Sequence, residues 1–210
     1  MKFLLTAGPT REPLDPVRFL SNRSSGKMGY ALAEAAQRAG HEVVLISGPS
    51  ALARPAGVHF LQIETAQEML EAVRDSITDT DCAIFAAAVA DYRPAKIADQ
   101  KIKKSADSMH LVLERTPDIL GSMRALGYRG LLVGFAAETE NLLENARGKL
   151  VKKGCDLIVA NDVSQRGIGF DADDNAVTLV YAGGREDSIR KMSKRDLAEK
   201  LIGVCENLVK

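Results

Sequence analysis

Apolar and polar positions along the chain switch between a strand period and a helix period, and the alternation reads as a parallel α/β protein. The run Lys2-Phe3-Leu4-Leu5-Thr6 ends in Ala7-Gly8 and predicts a first buried strand. Apolar positions then recur at helical spacing through Tyr30, Leu32, Ala33, Ala36 and Ala39, which predicts a helix beginning near Ser25. Strands are predicted at 42–46 and 58–63, and Thr65 with Glu68 forms a capping box opening a helix through Met69, Leu70, Val73 and Ile77. The stretch 82–87 is apolar on both faces, as a central parallel strand covered by helices must be.

The pattern breaks at 88–100. An apolar-alternating run at 109–114 follows, and Thr116-Pro117-Asp118 opens a short helix. Strands at 131–136 and 156–160 bracket a helix at 144–153, runs at 176–181 and 186–189 suggest a late hairpin around Gly183-Gly184, and Ser193 caps a closing helix. The expected fold is therefore a doubly wound, mostly parallel Rossmann-like α/β sheet with helices on both faces. An extended arm is inserted at roughly 88–116, and one domain spans 1–210.

Composition narrows the function more than the fold. The 28 basic and 28 acidic side chains of the 210 residues cancel, so a general nucleic-acid surface is not expected and any anion site must be a local cluster. No apolar run approaches the ~20 residues of a membrane span, and the amino terminus enters a strand without a signal-like apolar region. The expectation is a cytoplasmic enzyme or binding protein. Cys82, Cys155 and Cys205 lie far apart without metal-ligand spacing and read as reduced packing residues.

The stretch from Arg18 to Gly29 joins the first strand to the first helix with small, polar and basic residues, and reads as a phosphate-handling turn. The first turn of a helix leaves peptide N–H groups without partners at the positive end of its dipole, so Ser24, Ser25, Gly26 and the residues up to Gly29 are candidates to cradle a polyphosphate. An ordinary serine-capped helix whose glycines serve packing is the competing reading. Neither familiar phosphate motif fits. Ser21 stands where a P-loop needs its first glycine and Met28 where it needs Ser or Thr, while the second strand closes with Ser47-Gly48 rather than a ribose-binding acid. The missing fingerprint also weighs against an NAD(P)-dependent oxidoreductase, the alternative enzyme class for such a sheet.

Ligand-binding residues of these sheets gather at the carboxyl ends of strands. The segments after the apolar runs there are 88–94, 135–139 and Asn161-Asp162. Small Ala86 and Ala87 leave room for a flat ring, and Phe135 could stack on it, although all three also suit a plain core. Lys149 and Lys153, four apart, share one helix face, and Lys101-Ile102-Lys103-Lys104 forms a basic run in or beside a loop. Solvated lysines are the bland reading of both clusters.

The segments 6–10, 21–29, 86–92, 101–104, 134–139 and 160–162 together resemble phosphopantothenoylcysteine synthetase, and the resemblance covers essentially the whole chain. It implies a ligase of coenzyme A biosynthesis that joins 4′-phosphopantothenate to L-cysteine, with CTP as the bacterial type's nucleotide and Mg²⁺ assisting. The resemblance also implies a homodimer, much of whose contact comes from the inserted arm. In this family the synthetase often accompanies a flavin-dependent decarboxylase, so the chain is expected to be either a stand-alone synthetase or one part of a bifunctional protein. By matching motifs, Asn22 would hold the acyl-cytidylate and Lys101 would neutralise charge. Phe85, Ala86, Ala87, Asp91, Pro117, Asp118, Ile119, Leu120, Phe135, Lys149 and Lys153 would line the nucleotide site. The resemblance gives no metal ligands; Asp91 and Asp162 are candidates for a nucleotide-bound cation.

Overall fold

The computed structural model of the chain describes residues 1–104, 107–138, 140–162 and 172–209. Strand β1 (Lys2–Ala7) leads through a short hairpin, β2 (Arg11–Pro13) and β3 (Phe19–Ser21), into α1 (Lys27–Arg38) and β4 (Glu42–Ser47). Next come β5 (His59–Gln62), α2 (Ala66–Ser76) and β6 (Cys82–Phe85). The arm follows with β7 (Tyr92–Pro94) and β8 (Leu113–Arg115), then α3 (Ile119–Ser122), β9 (Leu131–Glu138), α4 (Leu142–Lys153) and β10 (Leu157–Asp162). The chain closes with the hairpin β11 (Asp174–Tyr181) and β12 (Glu186–Ser193) and with α5 (Lys194–Val209).

Eight strands form one sheet in the order β12-β11-β10-β9-β6-β1-β4-β5. The pairs from β5 across to β10 are parallel, and β11 and β12 add antiparallel strands at one edge. Alternate residues of each strand feed opposite cores, as the strand period requires. Phe3, Leu5, Val43, Leu45, Ile84 and Val133 pack beneath α1 and α5, while Leu4, Val44, Ile46, Ala83, Leu132 and Ile158 pack beneath α2, α3 and α4. The fold is thus the mostly parallel, doubly wound Rossmann-like α/β architecture that the hydrophobic pattern predicts.

Strand order reverses at β1, which is flanked by β4 on one side and β6 on the other, so the crevice expected of an open α/β sheet opens beyond Ala7 and Phe85. The chain reinforces this point. Residues 86–90 continue alongside 6–10: Ala88 N–H donates to Gly8 O at 2.9 Å, and the fully buried Thr6 and Thr10 accept from Ala87 and Ala90 N–H through their hydroxyls at 3.2 and 3.0 Å.

Several boundaries differ from those predicted. Helix α1 starts at Lys27 rather than near Ser25, because Gly26 at φ 82° is its N-cap and no side chain caps it. The serine-capped reading is therefore incorrect, although its packing argument survives at Gly29. A Cβ there would stand 2.5 Å from Ala7 Cβ, so only glycine lets α1 approach β1 this closely. The alternation at 109–114 yields a strand only at Leu113–Arg115, which pairs with Tyr92–Pro94 and leaves Met109 and Val112 53% and 76% exposed. The β2–β3 hairpin inside the proline-rich loop was not foreseen. The capping box at Thr65 and Glu68 is present, and Ser193 Oγ accepts from Asp196 N–H at 3.1 Å at the start of α5.

Candidate active site

A cleft of about 790 Å³ lies at the carboxyl end of the central strands. One wall is the first turn of α1. The first peptide N–H groups of a helix are not used by its own hydrogen-bond ladder, no acidic residue stands in that turn, and the buried Gly26 and Gly29 line the cleft. Ser24 Oγ accepts from Gly26 N–H at 3.3 Å, which shapes the turn, and Lys27 reaches Asp173 at 2.7 Å.

The floor is the extension of β6. Phe85, Ala86 and Ala87 line it together with Thr6, whose hydroxyl fixes the Ala87 peptide. Asn22 arrives from the end of β3, and its Nδ2 donates to Ala88 O at 2.9 Å. One amide hydrogen is thereby engaged, and the group retains a second donor and an acceptor at the cleft. Asp91 also lines the cleft, and its carbonyl accepts from Thr116 N–H at 3.0 Å, which closes the root of the arm beside the site.

The opposite wall comes from α3, β9 and α4. Asp118 caps α3 by accepting from Gly121 N–H at 3.0 Å and forms an ion pair with Lys153. Burial works against the Asp118 carboxylate, but the Lys153 ammonium and the Gly121 N–H outweigh it, so the carboxyl titrates below its ordinary value. Lys149 Nζ donates to Phe135 O at 2.6 Å. Burial lowers the Lys149 pKa, assisted by the neighbouring Lys153 charge and opposed by Glu138.

Of the residues predicted for the site, Asn22, Ser24, Gly26, Phe85, Ala86, Ala87, Asp91, Pro117, Asp118, Ile119, Leu120, Phe135, Lys149 and Lys153 all line this cleft. Ser25 and Lys101 do not. The Ser25 carbonyl instead accepts from Ser50 Oγ at 2.9 Å, and Lys101 lies on the arm next to Ile102, which is bound to the β2–β3 turn. Asp162, proposed as a cation ligand, also falls outside the lining, while its neighbour Asn161 falls inside.

Other lining residues were missed: Thr6, Arg115, Lys152, Asn175 and Lys194. Thr6 carried a signal as a polar residue in an apolar strand. Lys194 carried a weaker one, since a lysine in the first turn of a helix opposes the dipole. Asn175 and Lys152 offered none, because the fold brings them in from the late hairpin and from the rear of α4. Asn161 Oδ1 is buried and has no hydrogen-bond partner among the described residues, a costly state that a ligand donor or a cation would relieve.

Mg²⁺ can be tested against these donors. Among the described residues no three acidic, histidine or cysteine side chains cluster as a metal cage, and Asp91 and Asp118 are the carboxylates of the lining. That set suits a hard cation arriving on phosphate oxygens with Asp91 or the Asn161 amide oxygen as supplementary ligand, rather than a resident protein-built site. Thiol chemistry finds no support. All three cysteines are free and buried, and burial pushes Cys155 up to about 12 and Cys82 well above its usual value.

The fold is that of a Rossmann-like α/β protein, and its switch-point cleft sets a helix first turn on one side and lysines on the other, a complement to phosphate chemistry. Residues 1–208 match the family described as DNA/pantothenate metabolism flavoprotein C-terminal domain, and the chain belongs to that family. It is 48% identical over 209 residues to the coenzyme A biosynthesis bifunctional protein CoaBC of Vibrio vulnificus, covering 98% of this chain and 52% of that protein. The Bacillus subtilis protein of the same name is 48% identical over 200 residues, covering 95% of this chain and 49% of that protein. The chain therefore spans about half the length of these relatives. A crystal structure of the C-terminal domain of a CoaBC protein superposes with a TM-score of 0.85 at 42% identity, covering 99% of this chain and 95% of that one.

Proposed function

We propose that the chain is a phosphopantothenate–cysteine ligase of coenzyme A biosynthesis, using CTP. The observation that carries this reading is convergence: Asn22, Phe85 to Ala87, Asp91, Asp118, Phe135 and the Lys149–Lys153 face come from separate segments and line one cleft. The family membership and the coenzyme A biosynthesis proteins it resembles support the pathway.

In the proposed reaction a carboxylate oxygen of 4′-phosphopantothenate attacks the α-phosphorus of CTP. The bond to the β-phosphate oxygen breaks, and pyrophosphate leaves. The cysteine amine then adds to the acyl carbonyl, loses a proton, and displaces CMP to leave the amide. Such chemistry needs orientation and charge stabilisation rather than a protein nucleophile. The α1 turn offers N–H groups to phosphate oxygens, while Lys149 and Lys153 offer positive charge from the opposite wall. Cytosine presents a donor amine beside acceptors, which the peptide groups of 85–87 and the face of Phe135 suit. Asn22 would hold the mixed anhydride through its remaining amide hydrogen and its carbonyl oxygen, a role that its bond to Ala88 O leaves open. When bound, Mg²⁺ would shield phosphate charge, with Asp91 and Asn161 as its nearest candidate ligands.

A homodimer is part of the same reading, supported by the exposed apolar positions of the arm such as Ile97, Met109 and Val112. Light scattering at micromolar concentration tests it, and a monomer there would contradict it. The ligase assignment is tested by pyrophosphate release across a nucleotide panel. Release should require phosphopantothenate and favour CTP, and amide should form only when cysteine is added. Equal specificity for ATP and CTP would contradict the nucleotide assignment, and release without phosphopantothenate would contradict the ligase.

A further inference from the structure

We propose that Asp15 is a positioning residue for the segment that carries Lys101, acting with Arg18 to clamp Ile102 to the turn of the β2–β3 hairpin. The inference rests on the ligase reading together with the charge-neutralising role that the family resemblance gives Lys101.

Both backbone polar groups of Ile102 are held by this charged pair. Its N–H donates to Asp15 Oδ2 at 3.1 Å, and its carbonyl accepts from Arg18 Nη2 at 2.9 Å. Arg18 in turn donates to Asp15 Oδ2 through Nε at 3.0 Å and Nη2 at 2.5 Å. The other carboxylate oxygen, Oδ1, accepts from Val17 and Arg18 N–H at 2.8 and 2.9 Å. The Asp15 side chain is fully buried, and its carboxyl is held well below the usual carboxylate range, chiefly by the Arg18 guanidinium, so the pair stays charged at neutral pH.

An aspartate that only ordered its own turn would need no more than the Val17 and Arg18 N–H groups, as in an ordinary Asx turn. Asp15 instead spends a buried oxygen on a peptide 87 residues away. The same segment is tied again where Ala98 N–H donates to Leu14 O at 3.0 Å. The hairpin is itself a fixed platform. Buried Glu12 accepts from Ala66 N–H at 2.9 Å at the start of α2, Arg11 N–H donates to Glu64 O at 2.7 Å, and Ser21 Oγ donates to Thr10 O at 2.7 Å.

Lys101 thus extends from a backbone anchored one residue on and three residues back. A loop lysine that must meet phosphate oxygens loses less freedom when its backbone is already placed, and a small displacement of such a group is expensive in rate. Neither Asp15 nor Arg18 lines the cleft, so the clamp acts by placing the backbone that carries Lys101 rather than by contact with the reacting atoms.

Asp15→Asn keeps the shape but removes the charge and turns an amide donor against the Ile102 N–H and the guanidinium. Its kcat for amide formation should fall on the order of ten- to a hundredfold with the nucleotide KM within about twofold of the parent. In a Lys101→Ala background the same change should cost little further, because both substitutions remove one function. In the parent, the Ile102 amide should exchange its hydrogen more slowly than those of Lys101 and Lys103, and Asp15→Asn should abolish that difference. Parent-like or raised kcat in Asp15→Asn, or an equal loss with and without Lys101, overturns the positioning role. An unprotected Ile102 amide in the parent overturns it even if the variant fails to fold. A parent that makes no amide removes the ligase reading and this role with it, whereas an active parent with an equally active Asp15→Asn variant removes the positioning role alone.

Discussion

The α1 side of the cleft offers backbone, and the α3–α4 side offers side chains. On the first, a left-handed Gly26 and a Gly29 pressed against Ala7 set the first turn of α1 against the cleft, its direction fixed by the packing of α1 on β1. On the second, Lys149 and Lys153 present charges already engaged with Phe135 O and Asp118. A backbone cradle cannot titrate and responds to substitution only through sterics. A lysine wall titrates, is screened by salt, and can be removed one charge at a time. On the proposed reading the difference would divide the duties, with geometry for the reacting phosphorus from α1 and Asn22 and affinity for the nucleotide from α4.

The largest effect should come from the geometric side. Asn22→Asp keeps the side-chain size but places a negative charge beside an anionic intermediate and exchanges the amide donor for an acceptor. Amide product should fall by about a hundredfold or more, as when an oxyanion-stabilising donor is lost, with melting temperature near that of the parent. Parent-like product formation would return Asn22 to a purely structural bond with Ala88. Gly29→Ala is the steric test of the same wall. The added methyl would force α1 away from Ala7, costing about 1–3 kcal/mol in a urea titration and weakening nucleotide binding together with it. Unchanged stability would mean that the helix can shift freely and that the cradle is not fixed by packing.

The side-chain wall should respond more gently. Replacing both Lys149 and Lys153 with Ala should raise the nucleotide KM about tenfold at low salt while kcat moves little, and the gap should narrow as salt rises. An unaltered KM would leave both lysines structural. The smallest effect concerns pH. Burial lowers the Lys149 pKa, so nucleotide affinity should weaken a few-fold with rising pH before the ordinary lysine range is reached, and Lys149→Ala should flatten that slope. The stability contribution runs the other way: between the lowered folded value and the ordinary unfolded one, the unfolded chain binds more protons, so the protein gains stability as pH rises through that window.

The two walls were also unequally legible in the sequence. The strands of the eight-stranded sheet and the helices α1, α2, α4 and α5 announced themselves because both faces of that sheet are covered, which leaves long apolar runs, and because caps such as Thr65 with Glu68 are local signals. Phe85, Phe135, Lys149 and Lys153 were traceable because each sits at a strand end or repeats at helical spacing. Conformation hid the α1 start: the serines suggest a cap, but Gly26 supplies it through a positive φ that composition does not encode. Asn175 and Lys194 reach the cleft only because the antiparallel hairpin folds back beside β10, a long-range pairing with no local signature. The clamp at Asp15 lay hidden for the same reason, since its partner Ile102 is remote in sequence and bound through its backbone.

The central claim is that both walls serve attack of a carboxylate on the α-phosphorus of CTP. It is tested most directly with 4′-phosphopantothenate carrying ¹⁸O in its carboxylate, turned over with CTP and cysteine and followed by mass spectrometry of the products. One ¹⁸O should appear in CMP and none in pyrophosphate. Label in inorganic phosphate or pyrophosphate, or CMP without label, would contradict it.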